Sequence, residues 1–171
     1  MKHVCLCLLL AAGTLLSGGC KQSTAAPPAT VAPTGPTAAQ PKLPTIKLWI
    51  GAQEMITEMA LTGEQEQTGM MFRTNMATNE GMIFVFGQPM RASFWMMNTI
   101  LPLSAAYIAP DGTILEIHDL QPHDTNAVVA ATNNIQYVLE TPQGWFKTNH
   151  IGIGTVITTE RGPLHKVFLG R

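Results

Sequence analysis

Two His-Asp pairs stand five residues apart, His118-Asp119 and His123-Asp124. Imidazole and carboxylate are sound ligands for zinc or a similar ion, and they also serve in hydrolytic acid–base work. The pairs straddle a predicted strand end and Pro122, so spacing alone does not make them converge. Two polar pairs at a loop mouth is the ordinary expectation. Glu116 with His118, and Glu140 with Arg73, are further candidate acid–base pairs. Thiol chemistry is confined to the start of the chain, at Cys5, Cys7 and Cys20. There is no glycine-rich phosphate loop and no G-x-S-x-G elbow. The ten methionines would suit Cu(I) by their softness. Their placement in apolar runs instead suits gap-filling in a core. The residues call for no cofactor.

These groups must be positioned by the stretch 69–103, which holds seven of the ten methionines, four phenylalanines and Trp95. Only Arg73, Glu80 and Arg91 are charged there, so the stretch belongs inside a packed domain. Residues 82–86, Met-Ile-Phe-Val-Phe after Gly81, predict a strand buried on both faces. Residues 92–97 predict a second strand, joined to the first as a hairpin by residues 87–91. Arg73 follows an apolar flank and needs a carboxylate at the core's edge or a cleft to face.

Around this block, residues 46–50 and 54–61 alternate as strands. Thr62 begins a capping box with Gln65, predicting a short helix over 63–68 that Gly69 ends. Pro110-Asp111-Gly112 marks a hairpin between strands 104–108 and 113–120. On the second of these, Leu115 and Ile117 are expected on one face, Glu116 and His118 on the other. Residues 121–134 form an irregular crossing. A strand follows over 135–140 with Ile135, Tyr137 and Leu139 inward, then a helical turn carrying Trp145 and Phe146. A last strand over 154–158 closes the sheet.

The chain has 171 residues, a formal net charge of −1 and 12 % charged residues, without a basic run. Nucleic acid is therefore not an expected partner. The start reads as a targeting segment: a basic Met1-Lys2-His3, an apolar run over 4–16, then Gly18-Gly19-Cys20. It resembles a bacterial lipoprotein signal peptide over 1–20 with Cys20 lipidated, although Ser17 stands where an aliphatic is usual. That places the protein at the bacterial cell envelope, with the membrane as partner through the anchor. No cysteine pair then remains for a disulfide, and a domain of this size can stand on core burial alone. Residues 21–45 hold six of the twelve prolines and read as an extended, disordered linker. The domain spans 46–159, and 160–171 is a tail.

Three motifs carry a further resemblance. Gly69-Met70-Met71-Phe72-Arg73, then Gly81-Met82-Ile83-Phe84-Val85-Phe86, then Phe94-Trp95-Met96-Met97-Asn98-Thr99 with Pro102-Leu103, resemble the domain of unknown function 192 family. The likeness continues through Asp111-Gly112, Glu116-Ile117-His118, residues 137–140 and Gly144. It implies a compact, mainly β domain and no established activity. Two departures stand out: Met97 where the family usually has lysine, and Ser104 where it usually has aspartate.

The expectation is thus a single mainly β domain with one or two short helices, of β-sandwich or jelly-roll character. Arg73, Trp95, Asn98, His118 and Glu140 are the polar or amphipathic residues on the most family-like segments. If they converge, they make a pocket for a small-molecule or glycan ligand, and the domain is a non-catalytic binding module. If they do not, Arg73 and Glu140 form a structural ion pair, Asn98 satisfies a turn and Trp95 is core. Two alternatives differ in class. One is a metal-dependent or hydrolytic enzyme using residues 118–124. The other is a structural, partner-binding envelope protein without a pocket.

Overall fold

The structure is a computed structural model, and it describes residues 35–170. The signal peptide over 1–20, Cys20 and residues 21–34 of the linker lie outside the described residues.

The first hairpin joins β1 (Thr45–Ile50) to β2 (Gln53–Ala60). Its turn uses Gly51 at a φ of 59°, where an added Cβ would also crowd Ile151. Helix α1 (Gly63–Thr68) then carries the chain across, so that β3 (Glu80–Met90) runs parallel to β2. Next come β4 (Ser93–Phe94), β5 (Leu103–Ile108), β6 (Ile114–Leu120), β7 (Val128–Val129) and β8 (Ile135–Pro142). Helix α2 (Trp145–Thr148), β9 (Ile157–Thr159), β10 (Gly162–Pro163) and α3 (Leu164–Leu169) complete the chain. Eight strands form one mixed sheet in the order β10-β9-β1-β2-β3-β8-β5-β6, and β4 pairs with β7 as a separate ribbon. The domain is mainly β, as its sequence implies, with three short helices rather than one or two.

The large sheet curls until its far regions meet. The amide of Ile114 donates to the Thr155 carbonyl (2.9 Å), Gly154 to Ile114 (2.8 Å) and Ile157 to Gly112 (2.9 Å). These bonds satisfy edge groups that would otherwise template pairing with another chain. Two apolar clusters result. One packs Leu48, Ile50, Ile83, Ala106, Tyr137, Leu139 and Ile157 on the concave side. The other packs Met82, Phe84, Ala105, Tyr107 and Val138 against Ala92, Met96 and Ala130. The second layer over that face is supplied by the β4–β7 ribbon and its flanking segments.

Several expectations are corrected. Residues 92–97 do not return as a hairpin partner of β3. The register of β3 against β8 shifts between Val85 and Met90, and the Gln136 side-chain amide donates to the Phe86 carbonyl there. The chain then crosses over the sheet, pinned by Arg91 Nε donating to the Ala130 carbonyl (2.7 Å) and by Ala130 N donating to Ala92 O (2.9 Å). Trp95, expected in the core, is 46 % exposed. A second irregularity, between the pairings of Tyr107 and Ile108 with β6, separates Leu115 from Ile117. Leu115 packs on the second cluster and Ile117 on the first. Strand β8 is buried on both faces, because it lies between β3 and β5 and is covered on each side.

The ends are also more built than their composition suggests. Gln40 Nε2 donates to the carbonyls of Gln65 (3.2 Å) and Gly69 (2.9 Å), and Leu43 N donates to Glu58 Oε2 (2.7 Å). Residues 40–44, read as linker, are therefore tied to the domain. In the segment read as tail, Leu164 is buried and Val167, Phe168 and Leu169 pack on the first cluster.

Candidate functional site

Glu140 is the group that burial leaves unexplained. It lies on β8 with Met82 and Ala105 as its cross-strand partners, so its side chain enters the second cluster. The residue is 4 % exposed, and its Oε2 has no hydrogen-bond partner in the protein. Removal from water penalises the charged form, which pushes the carboxyl up to about 8. Near neutrality it therefore carries its proton. Tyr107 on β5 feels the same environment: its phenol is raised by burial first, then by Glu140 and Glu116. Its hydroxyl donates to the Val128 carbonyl (2.7 Å).

Glu140 lines a cavity of about 320 Å³. The walls are the rings of Phe84, Phe86, Phe94 and Trp95 and the thioethers of Met70, Met71, Met90 and Met97. Thr68, Thr99, Ser93 and Gln67 add a few polar atoms, and Glu66 lies at the rim on α1. Burial raises the Glu66 carboxyl too. Among the described residues, no lysine, arginine or histidine lines this space.

Local chemistry sets each wall in place. The Thr62–Gln65 capping box forms: Gln65 N donates to Thr62 Oγ1 (3.3 Å) and Gln65 Oε1 accepts from Thr62 N (3.1 Å). This satisfies amides that a helix start leaves orphaned and aims α1 so that Thr68 and Gly69 reach the cavity. Gly69 has a φ of 45°, and a Cβ there would lie 3.2 Å from the Phe84 ring, so glycine lets the helix end close against that ring. Phe84 and Phe94 meet edge to face at 4.9 Å. The 96–99 segment is held by Met96 N donating to Asp124 O (2.7 Å) and Phe72 N donating to Asn98 O (2.8 Å).

Of the five residues singled out in the sequence, the structure brings two to the cavity, Trp95 and Glu140. Arg73 does not pair with Glu140. Its Nη2 lies 2.9 Å from Glu58 Oε2 in a mostly buried ion pair, and it also donates to the Pro41 carbonyl (3.2 Å). The parallel crossover from β2 to β3 brings Arg73 to Glu58, whereas β8 places Glu140 in the second cluster. Asn98 takes a left-handed turn at a φ of 58° and serves through its carbonyl. His118 Nε2 lies 2.9 Å from Glu116 Oε2, and its ring packs tilted against that of Tyr107, with centroids 5.2 Å apart. Glu116 also accepts from Ala131 N (2.9 Å).

The His-Asp pairs are engaged separately. Asp119 accepts from the Ser104 hydroxyl, and Asp124 accepts from the Asn126 amide (2.9 Å). His123 is exposed with a φ of 61°. Among the described residues, no group of three or more His, Cys, Asp or Glu is placed to hold a metal ion. Sequence reasoning missed Glu66, Phe84, Phe94 and Met97 as cavity residues. Their apolar runs signal burial but do not separate a packed core from the lining of a hollow.

Two solved structures resemble the domain. A chain from Sinorhizobium meliloti 1021, provisionally described as a transcription regulator, is 30 % identical with a TM-score of 0.67, covering 71 % of this chain and 98 % of its own. A protein of unknown function from Novosphingobium aromaticivorans DSM 12444 is 29 % identical with a TM-score of 0.64, covering 70 % and 90 %. No curated protein matches the chain. The profile of DUF192, described as Uncharacterized ACR, matches residues 46–159, and the chain belongs to that family.

Proposed function

We propose that the domain is a non-catalytic binding module for a small, largely apolar organic molecule seated on Glu140. One observation carries this reading: Glu140, a buried carboxyl whose Oε2 has no partner in the protein, is among the residues lining a cavity walled by rings and thioethers. Leaving such a group unpaired costs ~1–3 kcal/mol, a penalty that a ligand with a matching polar group removes. Apolar walls with few placed polar atoms are the usual make-up of small-ligand sites, and about 320 Å³ lies at the small end of their size range. A glycan is less well served, since its many hydroxyls would meet mostly carbon and sulfur. The enzymatic alternative is weaker on the same grounds. The His118–Glu116 pair does not line the cavity, and Asp119 and Asp124 are bonded elsewhere.

The same proposal places the domain at a bacterial cell envelope, held to the membrane through lipid on Cys20. The support is the basic start, apolar run and Gly18-Gly19-Cys20 close. Inhibiting the lipoprotein signal peptidase should then leave precursor uncleaved; normal processing would remove the anchor from the account.

Binding is tested by a thermal-shift screen of small organic molecules on the wild type and a Met97→Trp variant that fills the cavity. Ligands at ~100 times their dissociation constant should stabilise the wild type by ~2.7 kcal/mol. They should do so far less in the variant. Hits that stabilise both proteins equally would show that the cavity is not the site.

A further inference from the structure

Resting on that reading, we propose that the occupant is a protonated amine whose ammonium is held by the Glu140 carboxyl at the buried end of the aromatic-walled cavity.

The charge balance of the cavity argues for a cation. Its ionisable lining groups are Glu140 at the buried end and Glu66 at the rim, with Tyr107 of β5 close enough to feel the Glu140 charge. The lining residues from β3 and from the 92–99 segment carry no titratable side chain. An anionic ligand would meet no compensating positive group in the lining, and it would have to pass the Glu66 carboxyl. Four aromatic residues line the cavity, and a ring face attracts an ammonium most strongly where water is excluded.

The unpartnered oxygen narrows the class further. Glu140 Oε2 has no donor within the protein, and the carboxylate, once ionised beside a cation, is acceptor-only, so the ligand should bring an N–H. A quaternary ammonium has none, whereas a primary or secondary ammonium does. A neutral alcohol also donates, but it makes no use of the rim carboxyl or the ring faces.

The proton bookkeeping follows from the resting state of Glu140. Burial keeps the carboxyl protonated near pH 7. An incoming ammonium supplies the countercharge that burial withholds, so the carboxyl ionises and its proton passes to solvent. No bond of the ligand changes. The ammonium keeps its protons, and one net proton is released per ligand bound.

The test is calorimetric titration of the domain with phenethylamine, 2-phenylethanol and 3-phenylpropionate, three probes of similar size that differ in charge. Repeating the phenethylamine titration in buffers of different ionisation enthalpy counts the protons released. The amine should bind ~10–100-fold more tightly than the alcohol, the range expected for a charge-assisted hydrogen bond. Release should be near one proton at pH 7 and fall well below one at pH 9. Glu140→Gln should abolish both the preference and the release. Met97→Lys, which puts a cation into the cavity wall, should weaken the amine several-fold more than it weakens the alcohol. Alcohol binding as tight as amine binding would leave the cavity a ligand site and overturn the amine assignment. Amine binding without proton release, or with release unchanged in Glu140→Gln, would overturn the role of Glu140. Failure of all three probes to bind would overturn both this inference and the binding module itself. Cu(I) bound by the wild type in place of the amine, and lost when Met70 and Met71 are replaced by leucine, would give the cavity to a soft metal and overturn the proposal.

Discussion

Glu140→Gln should make the domain more stable at alkaline pH and flatten its stability profile. The ordinary glutamate value is 4.5, and burial raises Glu140 to about 8 in the folded protein. Below the lower value both folded and unfolded chains hold the proton, so Glu140 confers no pH dependence. Between the two values the unfolded chain ionises while the folded chain stays protonated. Stability must then fall as pH rises, and it levels off once the folded carboxyl also ionises above about 8. The slope is ~1.4 kcal/mol per pH unit, so the full window amounts to a loss on the order of 5 kcal/mol. That is comparable with the whole stability of many domains. Glutamine fills nearly the same volume and cannot ionise, so its variant lacks this slope. Urea denaturation of both proteins from pH 4 to pH 9.5 isolates the effect, because the shifts at Glu80 and Asp111 do not depend on Glu140 and cancel in the difference. A difference that grows with pH and saturates near pH 8–9 is expected. A difference that stays flat across the range would refute the burial argument.

Arg73→Ala should cost about 2–3 kcal/mol, since it leaves Glu58 mostly buried without its cation and removes the hydrogen bond to the Pro41 carbonyl. Ligand affinity should be unchanged in that variant, which thermal denaturation and a binding titration together check. Gly81→Ala should destabilise by about 1–3 kcal/mol, because the new Cβ would lie 2.7 Å from Met55 Sδ and 2.9 Å from the Glu140 carbonyl. A melting curve within error of the wild type would contradict the packing at that position. Thr62→Ala should cost ~1 kcal/mol through loss of the helix cap, and its exchange-protection loss should be confined to α1.

Features that depend on close neighbours along the chain are legible in the residues themselves. Thr62 and Gln65 announce a cap whose two bonds both form. Pro110-Asp111-Gly112 announces a hairpin, and Gly112 takes a φ of 91° there. The site is less legible, because three of its determinants are non-local. Alternation along a strand assigns faces only while register is kept, and the irregularities after Val85 and at Tyr107–Ile108 change it. Glu140 is expected on the face away from Ile135, Tyr137 and Leu139, yet residues 92–99 cover that face and bury it. Arg73 demands a carboxylate, but Glu58 rather than Glu140 meets it because of a parallel crossover that composition does not encode. Trp95 reads as core by type; it lies instead at the cavity, half exposed.

Glu140, desolvated at the buried end of the cavity, is the residue on which ligand binding turns. Carbon-13 NMR of the labelled glutamate side chains, with Glu140 assigned through the Glu140→Gln variant, measures it most directly. The Glu140 carboxyl should titrate near 8 in the free protein and shift to markedly lower pH with saturating phenethylamine. Titration of that carboxyl in the ordinary glutamate range, unmoved by the amine, would contradict that role.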